Sequence, residues 1–529
     1  MKQAAARLSA KQRDRPPRTA QPLWLIIPLA VTLIGLAVLI AILTEPRHLV
    51  GALIAYLNLT IIGGAAVYFV RQRTLQGLIP VLFLTWFAMG WPLPTIYFAT
   101  MFPSEAYHPF ADEREILYGV AWVQTVGLVF LVVYLTTVRI FLGHHRPWTH
   151  SPANQDTERL VGSVVLWIVM AAITLHALSQ VVALPGPLVY VASGSYNYLH
   201  GLMLMVGVLF LRLNVETRLR ALAFMALAGA FYLIGNARGL AVLPATLFVV
   251  GLIFLSDISQ RYKTWAVIAA CAGLPMALVI GNTTRVLLGS IGFQDIGTRL
   301  SALGEWQEVL RRTPVLVSTF HRLFFVGGHS IIAYTPEYFP YLDFSWTDYG
   351  WEFVTRLLPG KLFYAPFYSD NERLRAYGFL ITQESSFPMS LLGSLYLLGG
   401  LVPVALGAVA FGLFHSLLGR LIGLAGRRTS YLGLFIFSMI ASTLIWSQNV
   451  DLITNVRVTA WRILSAFVLY VAILRPLVAR AAARRAAGRP RLVRTWAGRR
   501  RPGASTSTGA TGFAADVAQR RIPVWTRQS

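Results

Sequence analysis

Long apolar runs separated by short polar stretches fill most of this chain. Leu23 to Leu43, Ile116 to Val138 and Leu160 to Leu184 contain no Lys, Arg, Asp or Glu. A helix needs roughly 20 mostly apolar residues to cross the hydrocarbon core of a bilayer. The pattern predicts such spans near 22–43, 48–70, 76–99, 116–139, 160–184, 195–212, 220–236, 239–256, 264–283, 387–415, 430–448 and 458–475. The expected fold is therefore an all-α polytopic membrane protein of about twelve transmembrane helices. The chain divides into a basic N-terminal segment (1–21), transmembrane helices 1 to 9 (22–283) and a loop domain (284–386). Transmembrane helices 10 to 12 (387–475) and an Arg-rich tail (476–529) follow. The first apolar run comes after the basic stretch Lys2 to Arg18 and has no small-residue cleavage site, so it is expected to be a retained helix.

The charges between the runs give an orientation. With the N-terminus inside, the cytoplasmic connections are Arg71–Arg73, Arg139–Arg159, Arg212–Arg220, Asp257–Lys263 and Arg420–Arg428, all basic. The outward connections are acidic, neutral or short, apart from 284–386, which is long enough to escape the positive-inside rule. Both termini are expected in the cytoplasm.

The segment 284–386 is the odd element, since connections of such length are functional or disordered. Disorder does not suit its aromatic content, which includes Trp306, Phe324, Tyr338, Trp346, Tyr349 and Trp351. Leu300, Leu303, Trp306, Val309 and Leu310 recur at helical spacing, which suggests an amphipathic helix at the membrane interface. An ordered extracytoplasmic domain packed against the membrane is the expectation.

Composition agrees with a membrane protein. Of 529 residues 56% are hydrophobic and only 13% charged, against roughly 25% charged in soluble domains. The net charge of +24 sits largely in the ends and the inner connections, and no base-reading motif accompanies it, so nucleic acid is not an expected partner. The tail from Ala481 to Ser529, rich in Arg, Ala, Gly, Ser and Thr, is expected to be mostly disordered and attracted to anionic lipid. A single cysteine, Cys271, excludes a disulfide framework or thiolate metal site within the chain.

No phosphate-binding GxxxxGK[ST] loop, HExxH or clustered Cys/His set is present. Ionisable groups gather instead on the outer side. Arg238 and Arg285 each follow a span end, and Arg299, Arg311, Arg312, Arg322, Arg356, Lys361, Arg373 and Arg375 lie in the long loop. Arg457 and Arg462 stand at the outer end of the last span, against the usual bias. Cations where topology does not call for them suggest an anion, and guanidinium groups suit phosphate or diphosphate. Each is also readable as a solvated or snorkelling side chain, Arg238 less so because it is squeezed into a very short connection. The loop also carries Asp343, Asp348, Glu352, Asp370, Glu372 and Glu384. Glu384, just ahead of a span, is a candidate general base or an ordinary helix-capping residue. The Gly327-Gly328-His329-Ser330 string is either a turn or a contributor of His329.

Three strings together resemble a known family: Arg356-Leu357-Leu358-Pro359-Gly360-Lys361, then Glu384-Ser385-Ser386, then Ser390-Leu391-Leu392-Gly393-Ser394-Leu395-Tyr396-Leu397-Leu398-Gly399-Gly400. With the apolar run holding Gly407 and Gly412, they resemble the oligosaccharide repeat-unit polymerases, the O-antigen (Wzy-type) polymerases of bacterial surface polysaccharides. Asn236-Ala237-Arg238-Gly239 also resembles an "sRg" element of these polymerases and the related O-antigen ligases. Gly360 between proline and lysine, and Ser394 where the family often has an acid, depart from the pattern. The second departure removes a candidate base and turns attention to Glu384.

The resemblance implies a metal-independent, cofactor-free glycosyltransferase of the bacterial cytoplasmic (inner) membrane. It would polymerise polyprenyl (undecaprenyl) diphosphate-linked oligosaccharide on the outer face for surface polysaccharide or exopolysaccharide of the cell envelope. Arg238, Arg285, Arg356 and Lys361 would hold the diphosphate. Glu384, or failing it His329 or Asp348, would take the acceptor proton, and Trp346, Tyr349 and Trp351 would stack on sugar. Its partners would be the lipid-linked glycan, membrane lipids and other polysaccharide assembly proteins. Three other readings remain beside it: an O-antigen ligase-type glycan transferase, a polysaccharide or lipid transporter (flippase), and a non-enzymatic envelope scaffold. A transporter calls for broken helices and midplane ionisable groups, and the sequence offers only His176 and His415 there.

Overall fold

The computed structural model describes residues 47–72, 74–101, 113–143, 155–182, 185, 200–234, 238–256, 258–259, 261–266, 268–269, 273, 280, 283, 296–305, 354–355, 390–428, 430–446 and 452–488. Every regular element among them is helical. In chain order these are α1 (Arg47–Arg71), α2 (Leu75–Gly90), α3 (Pro92–Met101), α4 (Glu113–Leu142) and α5 (Gln155–Val181). A short α6 (Met203–Leu209), framed by 3-10 turns His200–Leu202 and Phe210–Arg212, leads to α7 (Val215–Ile234). Helix α8 (Arg238–Val250) runs on as a π segment, Gly251–Leu255. After α9 (Ile296–Ala302) come α10 (Ser390–Leu397), α11 (Leu401–Arg428) and α12 (Ser430–Trp446). Helix α13 (Leu452–Leu469) continues through a second π segment, Tyr470–Leu474, into α14 (Arg475–Gly488).

Among the described residues six helices are long and apolar enough to cross a membrane: Val50–Arg71, Leu75–Ile96, Ala121–Leu142, Gln155–Ser179, Leu401–Gly426 and Asn455–Arg480. Shorter apolar helices occupy Met203–Arg212, Leu243–Leu255 and Tyr431–Ile445. The expected span at 22–43 and most of that at 264–283 lie outside the described residues.

Three predicted elements differ in detail. The run 76–99 is two helices, because Pro92 and Pro94 have no N–H to donate and their rings crowd the preceding turn just after Trp91. The junction is braced from the neighbouring helix. Gln124 Nε2 donates to the Trp91 carbonyl at 3.1 Å and to Thr95 Oγ1 at 2.7 Å. Asn58 Nδ2 in turn donates to the Gln124 carbonyl and side-chain oxygens, both at 3.1 Å. Such sealing is what makes a proline break tolerable within a membrane. The run 387–415 is also two helices, separated at Leu398, Gly399 and Gly400. Both glycines have left-handed φ, 140° and 78°, and the Gly400 N–H returns to the Tyr396 carbonyl at 2.7 Å. Thirdly, the basic tail stays helical to Gly488, since Ala and Arg are strong helix formers and the next residues, Arg489 and Pro490, follow a glycine stop. The chain separates into units 1–481 and 482–529, and the described part of the second is the end of that helix.

Helices α2 and α4 each pack against both α1 and α11, while α6, α7 and α8 pack together with α5. Helix α12 touches α2, α11, α13, α6 and the turn at His200–Leu202. Leu434, Phe435, Phe437, Met439, Ile440 and Ala441 on it are all buried, the signature of a central helix enclosed on every side. The aromatic core lies between α2, α4 and α11. There Phe83 meets Phe130, Tyr134, Phe411 and His415, with ring centroids 4.8 to 6.2 Å apart. At the opposite polarity, arginines close helix ends: Arg420 donates twice to the Phe141 carbonyl at the end of α4, at 3.0 and 3.2 Å. Arg159 does the same for the Arg212 carbonyl at 3.1 Å. Cations at exposed C-termini satisfy orphan carbonyls and the helix dipole together.

Candidate functional site

Of the residues expected to hold the diphosphate, take the proton or stack on sugar, Arg238 alone falls in the described part, where its backbone opens α8. Arg285, His329, Trp346, Asp348, Tyr349, Trp351, Arg356, Lys361 and Glu384 lie outside the described residues. Arg457 and Arg462, noted as a pair of misplaced cations, are separated by the fold. Arg457 is exposed, whereas Arg462 is 7% exposed and lies inside the span Asn455–Arg480.

Helical periodicity builds the surroundings of Arg462. Asn455, Thr459 and Arg462 stand at i, i+4 and i+7 on α13, so they share one face. All three are buried. Arg462 meets a second polar row on α12, where Ser438 and Ser442, one turn apart, are both fully buried. The Arg462 guanidinium donates to Ser442 Oγ. Ser438 Oγ is buried with no hydrogen-bond partner. The 3-10 turn at His200–Leu202 closes the third side: a Cβ on Gly201 would sit 2.5 Å from the Ser438 carbonyl and 3.5 Å from Ser442 Oγ. Only glycine lets the backbone come that close. The result is a buried polar seam between α12 and α13, with the Arg462 side chain packed into it.

A second feature lies at the junction of α10 and α11. Leu395 packs against Gly407, where a Cβ would collide with its methyls. Twelve residues of continuous helix would span about 18 Å, so α10 doubles back on α11 at the glycine turn. Trp122 Nε1 donates to the Tyr396 hydroxyl at 2.8 Å, which ties the corner to α4. Ser390 opens α10 with φ 57° and accepts the Gly393 N–H at 3.2 Å.

A third buried polar pair, Tyr134 and His415, sits in the aromatic core, with hydroxyl and Nδ1 2.8 Å apart. His415 Nε2 faces the surrounding rings without a partner. Among the described residues no three His, Cys, Asp or Glu side chains gather as metal ligands.

The sequence flagged the Arg462 charge but not the buried polar seam it joins. The signal was present, in polar residues at i, i+4 and i+7 of an otherwise apolar helix, but the facing serines of α12 are connected to it only by tertiary packing. No protein-family model, curated protein or solved structure matches the chain. The fold defines a multi-pass membrane protein, with a buried cation inside one of its apolar helices.

Proposed function

We propose that this protein is a membrane glycosyltransferase that polymerises polyprenyl diphosphate-linked oligosaccharide on the outer face of a bacterial cytoplasmic membrane. In this reading about twelve spans place both termini in the cytoplasm, and segment 284–386 faces outward. One observation carries the proposal. The string Ser390 to Gly400, part of the resemblance to repeat-unit polymerases, is a folded-back corner pinned to α4 by Trp122 and Tyr396 rather than the plain start of a span. Glu384 is six residues before Ser390. An outer loop entering the bundle through such a corner would bring its acid to the membrane surface, where a lipid-linked sugar presents its diphosphate.

The reaction needs little from the protein beyond charge and position. An acceptor hydroxyl attacks the anomeric carbon of the donor glycan. The bond from that carbon to the diphosphate oxygen breaks, and polyprenyl diphosphate leaves. Glu384, with His329 and Asp348 as the other candidates, takes the hydroxyl proton. Arg238, Arg285, Arg356 and Lys361 stabilise the negative charge that grows on the leaving group. Trp346, Tyr349 and Trp351 offer flat apolar faces to the sugar rings.

A transporter reading is favoured by a different observation, the interruptions in α8, α10–α11 and α13, because transporters bind substrate at broken helices. The ligase-type reading differs only in the acceptor. Arg238→Ala and Glu384→Gln, introduced into the native host, test the enzyme assignment. Loss of polymer with single repeat units still delivered to the outer leaflet supports it. Normal polymer length in both variants contradicts it, and loss of lipid-linked units from the outer leaflet favours transport.

A further inference from the structure

We propose that Arg139 of α4 and Arg420 of α11 form a surface site for an anionic phospholipid of the surrounding bilayer. The two guanidinium groups take its phosphate, and the apolar side chains beside them carry its acyl chains. The inference needs only the membrane-spanning reading, and it holds whichever leaflet this end of the bundle faces.

Packing brings the two cations to one place. A Cβ on Gly412 would touch Thr137 and one on Gly419 would touch Leu142, so α11 and α4 run side by side in the same direction. Arg139 and Arg420 therefore reach the same end of the pair together. Both stand inside apolar spans, Arg139 within Ala121–Leu142 and Arg420 within Leu401–Gly426. Both are exposed, so they lie on the outside of the bundle. The surface around them is apolar. Leu417, Leu421 and Leu424 are exposed and share one face of α11 with Arg420, and exposed Ile140 follows Arg139 on α4.

A lipid-facing arginine ordinarily escapes by stretching its side chain to the aqueous edge. Arg420 is held instead: its Nε and Nη2 donate to the Phe141 carbonyl at 3.2 and 3.0 Å. That fixes the guanidinium against the end of α4 and leaves its Nη1 edge for a further acceptor. No carboxylate answers either charge among the described residues, where Glu158 pairs with Arg212 and Glu216 with Arg220. Residues 143–155 after α4 and 427–429 at the end of α11 contain no Asp or Glu, and add Arg146, Arg427 and Arg428. The counter-charge must come from outside the helix pair, and a bilayer supplies phosphate. Guanidinium groups bind phosphate oxygens through directed hydrogen bonds. A zwitterionic headgroup brings its own ammonium, so only a net-negative headgroup neutralises the pair. Basic surfaces between transmembrane helices hold such headgroups elsewhere.

The test uses the full-length protein in zwitterionic detergent. Its thermal unfolding midpoint is titrated with phosphatidylglycerol and, separately, with phosphatidylcholine. The wild type is expected to show a saturable rise with the first, weakened by salt, and a smaller rise with the second. Arg139→Gln/Arg420→Gln is expected to weaken the apparent affinity for phosphatidylglycerol by about tenfold or more. Arg457→Gln, which removes an exposed cation on another helix, should leave it unchanged. The Arg-rich tail is present in every variant, so its own attraction for anionic lipid cancels in the comparison. Equal responses to the two lipids, no response to either, or unchanged affinity in the double variant overturns the proposal and leaves two snorkelling side chains. An equal loss in Arg457→Gln overturns it as well, since total charge would then be all that matters. If the double variant does not fold because Arg420 also caps α4, Arg139→Gln alone decides, with unchanged affinity as the overturning result. No glycan enters the assay, so failure of the glycosyltransferase reading leaves this site standing, and failure of the site leaves that reading untouched.

Discussion

Arg457 and Arg462 are five positions apart on one helix, a rotation of about 140°, and the fold gives them opposite fates. One is exposed and the other is enclosed by serines and a glycine turn. Tyr134 and His415 make the complementary case, a polar pair enclosed by rings. The hydroxyl and Nδ1 satisfy each other at 2.8 Å, and removing one partner leaves the other buried and unpaired. Tyr134→Phe is expected to destabilise the bundle by about 1–3 kcal/mol. The double variant Tyr134→Phe/His415→Phe should recover much of that loss, because replacing both partners by apolar groups is far cheaper than removing one. Thermal unfolding of the four members of the cycle in detergent measures it, and strictly additive losses would mean that the pair is not coupled. At this scale the sequence was a partial guide. His415 stood out as a polar residue in an apolar run, and Arg462 as a charge in the wrong place. Their partners, Tyr134 at a separation of 281 residues and Ser442 at 20, belong to other helices that periodicity along one helix does not reach.

Elements were more legible than their interruptions. Apolar runs at 48–70, 116–139, 160–184 and 430–448 correspond to helices α1, α4, α5 and α12 because length and hydropathy decide a span almost alone. The breaks at Trp91 and at Gly399–Gly400 were missed since both lie inside uniformly apolar sequence. Prolines at 92 and 94 and paired glycines at 399 and 400 were the available signals. Whether such residues kink, break or merely decorate a helix depends on what neighbours can satisfy, here Gln124 in one case and the α10 fold-back in the other. Helices α6 and α8 show how far small residues govern packing. Gly207 lies on the Phe248 carbonyl and Gly251 on the Leu204 carbonyl, so each glycine admits the other helix's backbone. A Cβ at either position has no room. Gly207→Ala and Gly251→Ala are each expected to destabilise the protein by about 1–3 kcal/mol, whereas Gly229→Ala, with nothing within 4 Å of the added carbon, should be neutral or stabilising. Retention of the wild-type midpoint in the two tight variants would show that α6 and α8 do not cross there.

For the molecule as a whole, orientation is the claim most open to direct test. The charge pattern places the Arg212–Arg220 connection inside and segment 284–386 outside. With Cys271 replaced by Ala, a cysteine at Asn214 should react with a membrane-impermeant maleimide only in inverted vesicles. One at Thr298, which is exposed, should react in intact spheroplasts, and the opposite pattern would reverse the proposed site from the outer to the inner face. Membrane character was clear from composition and spacing alone. The chemistry was not, because the catalytic candidates sit in a segment whose function depends on how it folds against the bundle. The central claim is glycan polymerisation, and reconstitution tests it most directly: the purified protein in nanodiscs, with a polyprenyl diphosphate-linked oligosaccharide as the only substrate. The account predicts a ladder of longer lipid-linked products with release of polyprenyl diphosphate. No product from the repeat units of the native host, together with efficient movement of the same lipid across a proteoliposome membrane, would contradict it and identify a transporter.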